Sequence, residues 1–201
     1  FAGWEGHAST NPYSYYAKSQ YHALTDTDSS CQSLPFDQLF TTLQESIKQA
    51  DPFAYMQAAG LTGWSQGVSM YIQMMMAAQA EGSLSNGWHL LARLHVLQRE
   101  FERADDNDAD WLAKRDSLGF GQFTRSEARA LSNNDWLVIA ISTVTERDYS
   151  DFLRMWGLAY GHQAAAQVAS FGYPMLAKKF YQASGNDYCK GLNKTSVDIV
   201  D

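Results

Sequence analysis

Near the amino terminus, Gly3-Trp4-Glu5-Gly6-His7 sets one carboxylate and one imidazole in a glycine-flanked segment leading into a polar, tyrosine-rich helix. Glutamate and histidine both bind zinc, and this pair makes at most half of a tetrahedral shell. The other histidines are His22, His89, His95 and His162, and none forms the H-E-x-x-H spacing that puts two imidazoles on one helical face. His89 and His95 are six apart, which places them on different sides of their helix. All four read as surface or hydrogen-bonded histidines. Asp106, Asp108 and Asp110 alternate as the first ligands of a calcium loop do, but Trp111 stands where that loop needs glycine and Ser117 where it needs glutamate. The run reads as a solvated loop.

Other chemistries lack their residues. There is no G-x-S-x-G elbow, no phosphate-binding glycine loop, no dinucleotide fingerprint and no C-x-x-C. Cys31 and Cys189 lie in polar segments near opposite ends of the chain. They suit one disulfide tying the termini if the protein is exported, and two reduced thiols otherwise. Asn193-Lys194-Thr195 is a glycosylation triplet by pattern, with meaning only in a eukaryotic secretory setting. Met74-Met75-Met76 reads as core filling on a helix rather than as a soft-metal site. The many Trp and Tyr rings could wall a sugar or peptide cleft, and are equally ordinary core residues.

The elements that must position these residues are helices, and no stretch shows convincing strand alternation. Pro12 suits the first turn of a helix through Tyr15, Tyr16 and Ala17. Pro35-Phe36-Asp37 opens another with Leu39, Phe40, Leu43 and Ile47 on one face, ending at Asp51-Pro52. After Gly63 a buried stripe runs through Val68, Tyr71, Ile72, Met75 and Ala78 to Gly82. The Ser85-Asn86-Gly87 break precedes the longest amphipathic helix, with Leu90, Leu94, Leu97 and Phe101 inward. Residues 105–122 form a loop or a short helix. Ser132-Asn133-Asn134 caps a helix from Trp136 to Val144, and Asp148 caps one carrying Tyr149, Phe152, Leu153 and Trp156, with Gly157 at its positive-φ end. An alanine-rich helix spans Gly161 to Phe171, and Pro174 is expected to start a last one toward Tyr181.

The 201 residues are 45% hydrophobic and 18% charged, the profile of one domain with a filled core. No internal repeat or linker divides it, so residues 1–201 are expected to form a single all-α domain, an irregular helical bundle. Lys and Arg number 15 against 22 Asp and Glu, a net charge of −7 that repels phosphate backbones and argues against nucleic acid or a polybasic membrane patch. No window approaches about 18 uninterrupted apolar residues, so no membrane span is expected. The start lacks a signal-peptide pattern and is not Met, which suggests a processed form or a piece of a longer protein.

Two stretches carry a family resemblance. Residues 3–21, GWEGHASTNPYSYYAKSQY, and 134–157, NDWLVIAISTVTERDYSDFLRMWG, together resemble the later part of the catalytic domain of enhancin-like zinc metallopeptidases, nearest to the ImpA-type, or immunomodulating metalloprotease, branch. Members are secreted bacterial or viral gluzincins, several of which cleave mucins and other O-glycosylated proteins. Their H-E-x-x-H is followed by a third zinc ligand, usually Glu, at the start of a further helix, then an Asn and a Tyr-Ser pair. Asn11, Tyr13 and Ser14 match that tail. Matching backward without a gap lands the ligand on His7, whereas the family's residue type stands at Glu5. Asp148, Phe152, Trp156 and Gly157 are similar to the run that closes the family's helical subdomain. The H-E-x-x-H itself is absent, and with it two ligands and the glutamate that activates water.

The resemblance implies the C-terminal helical subdomain of a gluzincin-type peptidase, with residues 1–22 at the edge of the zinc site and Glu5 or His7 as a metal ligand. Its partners would be the N-terminal remainder of the same protein and a protein or glycoprotein substrate, in a secreted, cell-surface or periplasmic setting. By itself the chain is expected to be inactive. The alternative is a non-enzymatic helical module that binds a glycan, peptide or partner protein through exposed aromatics and takes no metal.

Overall fold

A computed structural model describes residues 6–27 and 31–200. The elements are a 3-10 turn Gly6–Ser9, then α1 (Asn11–Thr25), α2 (Phe36–Ser46), α3 (Pro52–Ala58), α4 (Trp64–Ala80), α5 (His89–Ala104), α6 (Asp108–Lys114), α7 (Arg125–Arg129), α8 (Asn133–Thr145), α9 (Ser150–Met155) and α10 (His162–Ser170). A short strand β1 (Lys179–Tyr181), a second 3-10 turn Asp187–Lys190 and β2 (Ser196–Asp198) complete them. The all-α expectation holds for the body of the molecule.

Two helices form the centre. Every residue of α4 from Gly67 to Ala78 is buried, and α8 is buried from Leu137 to Ser142. A helix apolar on all sides belongs inside a bundle, where neighbours cover each face. Met74, Met75 and Met76 are fully buried here, as core filling requires. The one amide in this stretch is answered in full: Gln73 Nε2 donates to the Tyr181 carbonyl and Gln73 Oε1 accepts from the Tyr181 N–H, both at 2.8 Å. Gly87 lets the chain cross α4 closely, because a Cβ there would stand 2.1 Å from the Met75 carbonyl oxygen.

The cap of α8 follows the sequence logic. Ser132 and Asp135 make a reciprocal capping box at the start of α8, and Asp135 Oδ1 also accepts from the Gly161 N–H at 2.5 Å, tying α8 to α10. At α9 the expectation is corrected: Tyr149, not Asp148, occupies the N-cap position and no side chain caps it, while Asp148 Oδ1, one residue earlier, accepts from the Ser150 N–H at 2.8 Å. Gly157 follows that helix with φ +78°, where a Cβ would also press on the Met56 backbone at 2.9 Å. Phe152 and Trp156 are buried between these points, so the block from Asp148 to Gly157 is a short helix with an aromatic face.

The carboxyl-terminal expectation is corrected. No helix starts at Pro174. The Asp148 N–H donates to the Pro174 carbonyl and the Leu176 N–H to the Asp148 carbonyl, both at 2.9 Å, and β1 then pairs antiparallel with β2, Phe180 opposite Val197. Three-residue strands are too short to show alternation, and Gln73 claims the Tyr181 backbone from inside the bundle, so tertiary pairing overrides local preference. The helix expected to run to Asp51-Pro52 stops at Ser46, and Asp51 instead caps α3 by accepting from the Ala54 N–H at 3.0 Å.

Cys31 and Cys189 are joined, with Cα atoms 6.1 Å apart and a sequence separation of 158. The bridge lies beneath α1, whose Tyr15 packs edge-on against Tyr188 at 5.5 Å. No helix among the described residues is long and apolar enough to cross a membrane.

Candidate functional site

The sequence-derived ligand candidates stand just before α1 in the chain. Glu5 lies outside the described residues. His7 falls in the turn Gly6–Ser9, and its side chain lies outside them too. That turn rests on α4 through Ala8, which is fully buried, and feeds α1, where Pro12 occupies the first turn. The Ser14 hydroxyl donates to the Asn11 carbonyl at 2.8 Å, closing the turn that carries the Asn-x-Tyr-Ser sequence.

Beside this turn, α1 and α5 frame an open groove of about 620 Å³. Thr10 and Tyr13 line one side, and Ala92, His95, Val96 and Arg99 the other. The Tyr13 and His95 rings lie 5.7 Å apart. Burial holds the His95 imidazole below its ordinary pKa, and a hydrogen bond with the Ser9 main chain pulls the other way. Burial raises the Tyr13 phenol, and the Arg99 charge opposes that rise. The Tyr13 phenol and the Arg99 guanidinium on this open wall can donate hydrogen bonds to a polar chain or sugar, with the Tyr13 ring as an apolar platform and the His95 imidazole packed behind it.

His89 and His95 do not separate as their spacing suggests. His89 meets Tyr16 edge-on at 6.0 Å while His95 meets Tyr13, so both rings reach α1. Single-helix spacing hides this, because the meeting depends on how α1 lies along α5. Tyr13, His95 and Arg99 thus form a cluster that no linear motif announces; only the match of Tyr13 to the family tail pointed here.

The acidic run is tied into the protein by hydrogen bonds and ion pairs. Asn107 caps α6, and Arg125 reaches the Asp105 and Asp106 carbonyls, each at 2.9 Å, and Asp108 Oδ1 at 3.1 Å. Arg129 Nε meets the Asp105 carboxylate at 2.7 Å, so the run anchors α7. Among the described residues no three His, Cys, Asp or Glu side chains group to hold a metal ion. Glu5 and His7 add two donors where catalytic zinc takes three protein ligands, so the residues of this chain do not compose a complete zinc site.

A 100-residue stretch of the chain is 29% identical to an immunomodulating metalloprotease of Pseudomonas aeruginosa, spanning 47% of this chain and 10% of that protein. The fold matches the IMPa metallopeptidase from the same organism over 92% of this chain, at 18% identity and a TM-score of 0.71. The match to that enzyme in complex with T-antigen gives 19% identity and 0.72, and to its complex with an O-glycopeptide 18% and 0.73. This chain spans 21% of the length of those solved chains. No family model matches it. The resemblance drawn from residues 3–21 and 134–157 is upheld: the chain has the fold of a portion of an ImpA-type metallopeptidase and is related to it in sequence over part of its length.

Proposed function

We propose that this chain is the helical part of the catalytic region of a secreted metallopeptidase that cleaves O-glycosylated proteins such as mucins. The observation that carries the reading is the fold match over 92% of the chain to a metallopeptidase solved with an O-glycopeptide. Residues 1–22 form the edge of the metal site, and one of Glu5 and His7 supplies a ligand to zinc, with the remaining ligands and the water-activating glutamate on the rest of the polypeptide. The groove between α1 and α5 begins at Thr10, three residues beyond His7, and supports a role as a wall of the substrate cleft. The Cys31–Cys189 bridge agrees with export, since structural disulfides persist in oxidising compartments. Residues 1–201 alone are inactive on this reading.

The test is proteolysis of an O-glycosylated protein and of its deglycosylated form by the native polypeptide and by residues 1–201, with and without a chelator. The native polypeptide is expected to cut the glycosylated form only and to stop when chelated, and residues 1–201 to cut neither. Chelator-sensitive cleavage by residues 1–201, or chelator-indifferent cleavage by the native polypeptide, would overturn it.

A further inference from the structure

α1 has two unlike faces. Pro12, Tyr15 and Ser19 are buried beneath it, and Tyr16 leans on Trp88 at 6.0 Å. The opposite face shows Tyr13, Ser14, Ala17, Gln20, Tyr21 and Leu24 to solvent. Tyr21 and Leu24 are 62% and 85% exposed, and of the seven large apolar side chains exposed among the described residues, three belong to this one helix. None of the six carries a charge. In the whole fifteen-residue helix Lys18 is the one Asp, Glu, Lys or Arg, and it is half-buried. A helix that stays against water normally spreads charge over its outer face; this one does not.

The spacing identifies what fits. Tyr13, Ala17, Gln20 and Leu24 follow one another at four, three and four residues, the ridge along which another helix packs, and Ala17 at its middle allows close approach. From Tyr13 to Leu24 the ridge is about 16 Å long, or three turns. Absence of charge removes any grip on a phosphate or a lipid headgroup. The structural relatives supply the source, because this fold represents 21% of the length of their chains.

We propose that the outer face of α1 is the seat of a second, neutral helix from another part of the same polypeptide, packed along Ala17, Gln20, Tyr21 and Leu24, with Tyr13 at the start of the ridge left to the groove that α1 and α5 frame. The idea rests on the proposed function only in taking this chain as part of a longer catalytic region. The packed helix would fix the direction in which α1 leaves the turn Gly6–Ser9, and so the placement of the segment that carries Glu5 and His7.

The experiment is maleimide labelling of single cysteines in the native polypeptide, at Tyr21→Cys and separately at Leu24→Cys. Leu112→Cys on α6, a site 63% exposed, is the accessible reference. Both α1 cysteines are expected to react at least about tenfold more slowly than the reference, at every protein concentration and without substrate. A smaller ratio overturns the proposal. So does protection that disappears on dilution, which would mean a second copy, or protection that appears only with a glycopeptide present, which would mean substrate. Metal content measured on the same samples separates this outcome from the fate of the metallopeptidase reading, since protection of α1 does not depend on whether Glu5 or His7 binds zinc.

Discussion

A glutamine in the centre of α4 holds the only sheet to the bundle among the described residues. Both of its amide ends bond the Tyr181 backbone, so Gln73→Leu would strand a buried N–H and a buried carbonyl at once. The expected cost is about 2–4 kcal/mol, read as a lower urea midpoint with an unchanged m value. His95 gives a second expectation, set by its lowered pKa. Unfolded, the imidazole titrates near the ordinary histidine value of about 6.5, and burial depresses it in the folded state. As pH falls below about 6.5 the unfolded chain takes up the proton first, so stability drops until the folded imidazole titrates and then levels. His95→Gln should flatten that part of the stability profile. At this scale the sequence spoke unevenly. The segment around Glu5 and His7 stands out because glycines frame it, whereas the Tyr13, His95 and Arg99 cluster comes from two helices and has no linear signature.

Among the elements, helices were legible wherever a periodic face met a cap. Ser132 before α8, Gly157 after α9 and Gly63 before α4 mark their helices in the residues themselves. The short α3 and α7 and the strand pair escaped notice, since five to seven residues hold less than two turns of pattern and β1 is defined by its distant partner β2 and held by Gln73 of α4. Glycine substitutions check the packing. Gly87→Ala drives a Cβ into the Met75 carbonyl, backbone against backbone, and is expected to cost about 2–3 kcal/mol. Gly172→Ala meets nothing within 4 Å and bears only the strain of φ +65°, about 1 kcal/mol. Thermal melts of the two variants should fall in that order, and the reverse order would contradict the close crossing of α4.

On the scale of the molecule, the disulfide ties residue 31 to residue 189 across most of the chain. Replacing both cysteines by serine should lower stability by about 2–5 kcal/mol, checked by urea unfolding. Length and composition account for the filled core, and on the proposed reading the remaining metal ligands come from the rest of the polypeptide. The central claim is that this helical fold completes a metal site at its amino-terminal edge. Its most direct test is metal analysis of the native polypeptide beside its Glu5→Ala and His7→Ala variants, with circular dichroism to confirm that each is folded. The account predicts one zinc per chain, lost on substitution of one of these two residues while the helical signal stays. A folded protein without zinc, or zinc retained in both variants, would contradict it.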